Sequence, residues 1–598
     1  MPAAPESYGP APLQNPAELL HKLGERGAPF AQLASQAERA HAGSHDPSWI
    51  VPWALALWHA EAFEAALSVL ERHAQQLQAS IDFHVLRGMV LRRLPGRAVE
   101  ALPCYKAALR LEPFRADIYF NLGNLLRDEL NRAENAVRSY AFSLKVDPQP
   151  ARTWLNYAIS LQELERHEEA LVAHHRGLCL DPANADAWNN AGLAHYALAQ
   201  VDEALRFFRY SLDLNAQSAA AHVNVGNALI ELCNPEQAIA HLEQGIVLEE
   251  EAKTASNALW NMSLVRLMLG EFPEGWSLYE ARFGTKQFDK VNLPSSGPRV
   301  LRLDQLPSAD APPDQQLLVW SEQGMGDSIQ FCRYLLLLRH RGVPFQYMTR
   351  RPLHRLMVHW LGLADAVVPD KSTDAETDPR PHIPLMSLPH LFGTDLETIP
   401  VLRGYLKAPE PTPANLRVAP PPGGISVGIT WASNPDNRAM YHKKSLPLEL
   451  LMPRLEQLMD LDLIEVHALQ VGDDAAQLEP WRDHPRLTDW NGKLDDFADT
   501  AHVLRQLDLV IAVDTAVAHL AAALDRPVWL LLPANADFRW LQNRSDCPWY
   551  PSMRLFRQTA RNDWPSVIAQ LHAALDELFL LDIEALIASR TPAQLARV

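Results

Sequence analysis

ADAWNNAGLAHYALAQVDEALRFFRYSLDLN, residues 185–215, decides how the first half of this chain folds. Its apolar residues recur at helical spacing through two successive helices. Trp188, Gly192, Ala204 and Phe208 fall where the first helix must pack closely on the second.

Working outward, the same pattern recurs. Similar placings follow Ala151 (Trp154, Ala158, Ala170) and Ala219 (Val225, Gly226, Ala238). The units end on acidic-Pro or equivalent marks at Glu112-Pro113, Asp147-Pro148, Asp181-Pro182, Asn215 and Glu249, the last four at intervals of 34 residues. That period belongs to the tetratricopeptide repeat, whose helical pairs stack into a superhelix. Clear repeats span 116–250 within an array expected over 48–290, after an N-terminal extension, 1–47, that is partly helical. Residues 48–113 read as degenerate copies, and NALWNMSLVRLMLGEFPEGWSLYEARF, 257–283, as a capping unit.

With 598 residues, 47% of them hydrophobic, the chain exceeds one core and can fill several. An excess of 72 acidic over 54 basic residues, formally −18, disfavours nucleic acid as a partner. Five cysteines, Cys104, Cys179, Cys233, Cys332 and Cys547, lie far apart without a C-x-x-C pair, so neither a zinc site nor a disulfide framework is expected, and a reducing cytoplasm fits. The first residues carry no secretion signal, and no apolar run reaches the roughly 18 residues of a membrane span.

A Pro-rich linker, 291–314, marks a change of pattern. Beyond it, apolar runs at 317–320, 345–349, 425–432, 463–469, 507–513 and 527–533 alternate with helix-length segments such as 328–341, the rhythm of parallel sheets. The break at 408–424 divides this half into two Rossmann-like lobes, 315–410 and 424–580, followed by a tail, 581–598. The fold class expected is therefore an α-solenoid followed by a two-lobed α/β domain.

Three stretches carry chemistry. In LLVWSEQGMGDSIQF, Gly324, Gly326 and Asp327 lie between a strand and a helix, where a carboxylate faces the crevice and can accept a proton from an attacking hydroxyl. In DLVIAVDTAVAHLAAALDRPVWLLLP, Asp514 and Thr515 end a strand and His519 follows one turn on; the helix start there is a site for diphosphate. In GITWASNPDNRAMYHKKSLPLELL, a loop carries Asn434, Arg438, His442, Lys443 and Lys444, and one of the two lysines suffices to stabilise a departing phosphate. Asp460-Leu461-Asp462 matches a D-x-D metal motif formally but lies where a helix gives way to a strand, so it reads as punctuation and no metal or other cofactor is expected. The aromatic-rich segment 537–558 reads first as domain packing and only second as a sugar or base platform.

From about 313 to 575 these motifs, GMGD, VGITWASNPDNR, KKSLPLELL and DTAVAHLAAALDRPVWLLL, resemble the heptosyltransferase-like branch of inverting glycosyltransferases with the two-lobed B-type fold. Fused to repeats through GEFPEGWSLYEARF, the chain looks like repeat-linked bacterial protein glycosyltransferases, some of which modify flagellin. The resemblance implies a nucleotide-sugar donor held by Asp514, Thr515 and His519, a general base at Asp327, and a phosphate cation at Lys443 or Lys444; Gly324, Gly326, Asn434 and Arg438 are expected as further donor-binding residues from their own loops. Relatives commonly have Arg-Ser where this chain has Lys444-Ser445.

Asn121, Asn156, Asn190 and Asn224 occupy the same first-helix position in successive repeats. An amide both donates and accepts, so a row of them can pair with the backbone of an extended peptide, an arrangement similar to the asparagine ladder of O-GlcNAc transferase. The same position in ordinary repeats merely bonds neighbouring backbone. The leading expectation is inverting transfer of a sugar to Ser or Thr of a protein bound by the repeats. A glycan or lipopolysaccharide acceptor, and a non-catalytic scaffold, are the alternatives.

Overall fold

The computed structural model describes residues 15–589 apart from 26, 250, 251, 286, 287, 289–295, 363–366, 370–377, 420–423 and 437. The chain forms two compact units that divide between Asn224 and Val225. The division falls inside the repeat array rather than at the expected linker.

The first unit consists of antiparallel helix pairs. The repeats read from sequence fold as Ala116–Asn124 with Ala133–Val146, Ala151–Glu163 with His167–Leu180, and Ala185–Ala197 with Val201–Leu214. Glycines let each pair close. A Cβ added at Gly192 would meet the Phe208 ring at 2.5 Å, and one at Gly123 the Tyr140 ring at 2.6 Å. Each end mark is tied to the helix after it. Tyr119 Oη donates to the Pro113 carbonyl (3.0 Å), Trp154 Nε1 to Pro148 (2.8 Å) and Trp188 Nε1 to Pro182 (2.9 Å), while His222 Nε2 lies 3.3 Å from the Ala216 carbonyl. The degenerate region is helical as well. Its core runs continuously from Leu19 to Leu125, so the helices Pro16–Leu23 and Phe30–Ser44 of the expected extension belong to the same stack.

The second unit opens with the last repeat helices, Pro235–Leu248, Ala252–Met268 and Phe272–Tyr279, and continues into two parallel sheets. Strands β1 (Leu317–Trp320), β2 (Phe345–Thr349), β3 (Val367–Pro369) and β4 (His382–Pro384) form the first, in the order β3-β2-β1-β4. Strands β5 (Ile425–Thr430), β6 (Ile464–Ala468), β7 (Leu487–Asp489), β8 (Leu509–Val513), β9 (Val528–Leu532) and β10 (Met553–Arg557) form the second, in the order β10-β9-β8-β5-β6-β7. The strand order of the second sheet is that of a doubly wound dinucleotide-type fold. Its switch point lies between β5 and β8, where Thr430 pairs with Ala512.

β1, β5 and β8 are buried almost throughout, which explains why they read as continuous apolar runs. The short strands β3, β4 and β7, and β10 within the aromatic segment, gave no such run. The helix expected over 328–341 is two helices, Met325–Phe331 and Arg333–His340, that meet at Cys332.

Trp276 explains why the capping repeat belongs to this unit. It is buried edge-on against Phe331 from the first lobe and against Phe538 and Trp549 from the second, and Phe272 stacks on Trp549 at 5.7 Å. Burying rings of this size contributes on the order of 2–3 kcal/mol each, enough to bind the repeat end to both lobes.

Candidate active site

Each lobe places its chemistry at the carboxyl edge of its sheet. In the first, the loop after β1 runs Ser321-Glu322-Gln323-Gly324 into the helix Met325–Phe331. Asp327 folds back over the helix start, where its Oδ2 accepts from the Gly324 amide at 2.9 Å. In the second, β8 delivers Asp514 and Thr515 to the helix Ala516–Ala523. Thr515 is extended and makes no capping hydrogen bond through its side chain. Its Oγ1 is buried without a partner among the described residues, so the first-turn amides lack a side-chain acceptor there.

The two helix starts face each other closely. A Cβ on Gly326 would lie 2.9 Å from Cδ2 of His519, so only glycine permits this approach. Arg539, from the loop after β9, spans the gap: its guanidinium pairs with Asp327 and with Asp537 Oδ2 (3.2 Å). Asp537, Asp327 and Asp514 together outweigh burial and hold the Arg539 pKa above its ordinary value.

At the switch point of the second sheet, the loop after β5 returns through the helix Arg438–Lys444 and sets Lys444 Nζ 2.7 Å from Asp514 Oδ2. Burial disfavours both charges, yet each supports the other. The Lys444 pKa is raised, with Asp514 and Asp537 outweighing burial, and that of Asp514 is held well below the carboxylate range by Lys444 and then His519. His519 Nε2 lies 3.8 Å from Asp514 Oδ1. Its pKa is lowered, chiefly by burial, so the ring is neutral at neutral pH.

Of the residues singled out from sequence, the structure thus brings together Gly324, Gly326, Asp327, Lys444, Asp514, Thr515 and His519. It separates Lys443, whose ammonium turns to Glu231 on the last repeats, 3.1 Å away. Asn434 is exposed and accepts from the Asp436 amide at 3.1 Å, holding a local turn, and His442 is exposed. Arg438 opens its helix, but its side chain lies outside the described residues.

Sequence reasoning missed Arg539, Trp540 and Tyr550, which sit in the segment set aside as packing. Trp540 stacks on His519 at 5.1 Å and Tyr550 Oη lies 3.0 Å from His519 Nδ1. The arginine two residues after Asp537 in DFRW was the available signal. Also missed was Arg282 of EARF, fully buried, which donates to Glu322 Oε1 (3.0 Å), Ser387 Oγ (2.8 Å) and Glu280 Oε1 (2.9 Å) and so anchors the loop after β1. Asp460 and Asp462, the formal D-x-D pair, close a turn and pair with His484 and Arg486.

The asparagine row is half-buried and partly engaged. Asn156 Nδ2 donates to Asn124 Oδ1 at 2.9 Å and Asn224 Nδ2 to Asn189 Oδ1 at 2.8 Å, joining successive first helices. In the second unit Asn261 Nδ2 donates to Asn227 Oδ1 at 2.7 Å in the same manner.

Two Rossmann-like sheets thus meet at their carboxyl edges, with a carboxylate on one side and a cation and a helix start on the other. Residues 477–537, which include Asp514, Thr515 and His519, match glycosyltransferase family 9 (heptosyltransferase). The chain is also 25% identical over 341 residues to Protein FlbA of Caulobacter vibrioides, covering 52% of this chain and 53% of that protein, and so spans about half the length of the curated relative it matches. Among solved structures it is similar to PilW, a widely conserved type IV pilus biogenesis factor (19% identity, 32% of this chain and 88% of that one, TM-score 0.30). It is similar too to YrrB, a TPR protein with an unusual peptide-binding site (19% identity, 38% of this chain and 97% of that one, TM-score 0.26). The second unit thus carries, over residues 477–537, a stretch similar to heptosyltransferase-type glycosyltransferases, and it also holds the last of the repeat helices. Among the described residues, no helix is long and apolar enough to cross a membrane.

Proposed function

We propose that the chain transfers a sugar from a nucleotide donor to a Ser or Thr hydroxyl of a protein held by its repeats, with inversion at the anomeric carbon. Asp327 takes the hydroxyl proton as the oxygen attacks that carbon. The bond from the anomeric carbon to phosphate breaks, and the nucleoside diphosphate leaves with its electron pair. Lys444 and the amides at the start of Ala516–Ala523 stabilise that anion, and Arg539 orients Asp327. These fixed cations take the place a metal ion would fill, so the reaction is metal-independent in this reading. The observation that carries the proposal is the close approach of Gly326 to His519, which brings the helix start that holds Asp327 against the helix that follows Asp514, the partner of Lys444. Flagellin is the acceptor to test first, on the strength of the resemblance read from sequence, and the cytoplasm the expected compartment.

The test is intact-mass analysis of cellular proteins, flagellin first, with wild type, the gene deletion and Asp327→Asn. The expected result is a mass increment on an acceptor protein that both changes abolish. An increment that persists with Asp327→Asn removes the residue from the chemistry.

A second reading, a glycan acceptor with the repeats as an assembly platform, is favoured by the amide pairs Asn156–Asn124 and Asn224–Asn189, which commit part of the row to bonds within the array. Glycan and lipopolysaccharide extracts in the same assay separate the two.

A further inference from the structure

His519 is gripped from behind by a network that does not touch the crevice. Tyr550 Oη lies 3.0 Å from His519 Nδ1 and 3.4 Å from Tyr405 Oη. Tyr405 Oη donates its one proton to the Ile329 carbonyl at 2.8 Å, and its oxygen accepts from Arg333 at 3.2 Å. Arg333 is itself fully buried and, among the described residues, pairs with no carboxylate. It donates to the Gln330 and Trp549 carbonyls, both at 2.7 Å, and lies over the Tyr405 and Tyr550 rings at 4.6 and 4.7 Å.

Counting donors and acceptors round this network leaves two destinations for the Tyr550 proton. Tyr405 has spent its proton on Ile329 and one lone pair on Arg333, so the Tyr550 proton can go to the remaining lone pair of Tyr405 at 3.4 Å or to Nδ1 of His519 at 3.0 Å. Nδ1 of His519, the nearer and more basic of the two acceptors, takes that proton in a hydrogen bond. A neutral imidazole that accepts at Nδ1 carries its hydrogen on Nε2. That nitrogen is the one facing Asp514 across 3.8 Å, on the edge of the ring that Gly326 approaches.

We infer that Arg333, Tyr405 and Tyr550 are positioning residues that lock His519 in the Nε2–H tautomer, so that it presents a fixed N–H to Asp514 and to the phosphates of a bound nucleotide. Resting on the sugar-transfer reading for the identity of that ligand alone, the inference concerns a proton that can be located without any turnover. A histidine held in the other tautomer would turn a lone pair toward the same anion and repel it.

The test is a long-range proton–nitrogen correlation spectrum of the full-length protein carrying nitrogen-15 histidine, at neutral pH. His519 is identified as the ring lost in His519→Asn or, should that variant not fold, as the ring that moves in Tyr550→Phe. The expected result is a neutral His519 protonated on Nε2 in wild type and a mixture of tautomers in Tyr550→Phe. That variant is also expected to bind whichever of UDP, GDP or ADP the wild type binds about tenfold more weakly. A wild-type His519 protonated on Nδ1, or on both nitrogens, overturns the inference. If the Nε2–H form is present and none of the three nucleotides binds, the positioning inference stands and the sugar-transfer reading fails.

Discussion

Lys444 sets its ammonium 2.7 Å from the Asp514 carboxylate, while its neighbour Lys443 reaches 3.1 Å to Glu231 on the repeats. Two adjacent lysines thus serve opposite sides of one helix end. Lys444→Met leaves Asp514 charged, buried and deprived of its closest cation. The expected cost is about 3–5 kcal/mol of stability together with loss of transfer. Lys443→Met breaks a partly exposed pair and is expected to cost at most about 1 kcal/mol, with transfer retained. Urea denaturation and a transfer assay on both variants check the contrast; equal effects would undo the assignment.

Gly326→Ala places a methyl group 2.9 Å from the His519 ring, which is stacked on Trp540 and cannot easily retreat. The expected outcome is a folded protein whose two helix starts are forced apart, with a loss of at least about tenfold in transfer for roughly 1–3 kcal/mol of destabilisation. Steady-state kinetics beside a melting curve separates the two effects.

Glu322 is pushed up to about 7, mainly by burial and against the opposing charge of Arg282. Between its unfolded value of 4.5 and that raised value the folded chain binds more protons than the unfolded one, so this group makes stability fall as pH rises across the interval. Asp514 acts in the opposite sense, contributing stability above about 3.8 that is lost as pH falls through its depressed value. Glu322→Gln keeps an acceptor for Arg282 and the Met386 amide, and is expected to flatten the decline between about pH 5 and about pH 7 in urea midpoints. An unchanged slope would mean Glu322 is already ionised throughout.

Arg282 is expected to make the catalytic unit inseparable from the last repeats. A fragment that starts at residue 291, the sequence boundary, loses Arg282, Trp276 and Phe272, leaving Glu322 buried without its arginine and the rings around Trp549 uncovered. One that starts at residue 225 keeps them all. Soluble expression and a cooperative melting transition for the longer fragment alone is the expected result.

Long-period and long-run features were legible in sequence. The 34-residue spacing, the placing of Gly192 and Phe208 in their helices and the buried strands β1, β5, β8 and β9 each impose a local pattern that the fold must respect. So did the two β-α junctions, because glycine and an acid between a strand and a helix have few other uses. Arg539, Tyr550 and Arg282 were not legible. Each acts across a gap of tens to hundreds of residues, and nothing within a few residues of them signals that partner. The Lys443–Lys444 choice had the same character: adjacent side chains on one helix diverge, and only Glu231 and Asp514 reveal which goes where. The asparagine row was visible as spacing, whereas the bonds of Asn156 and Asn224 to Asn124 and Asn189, outside the row, were not.

The bonds from Tyr119, Trp154 and Trp188 back to the proline carbonyls that precede them close each inter-repeat corner on itself. A corner sewn shut in this way is a poor hinge, so bending falls on the slip of one helical pair over the next. Stretched end to end, such a stack should give way in instalments about 34 residues long, and its force trace should be a sawtooth rather than a single rupture.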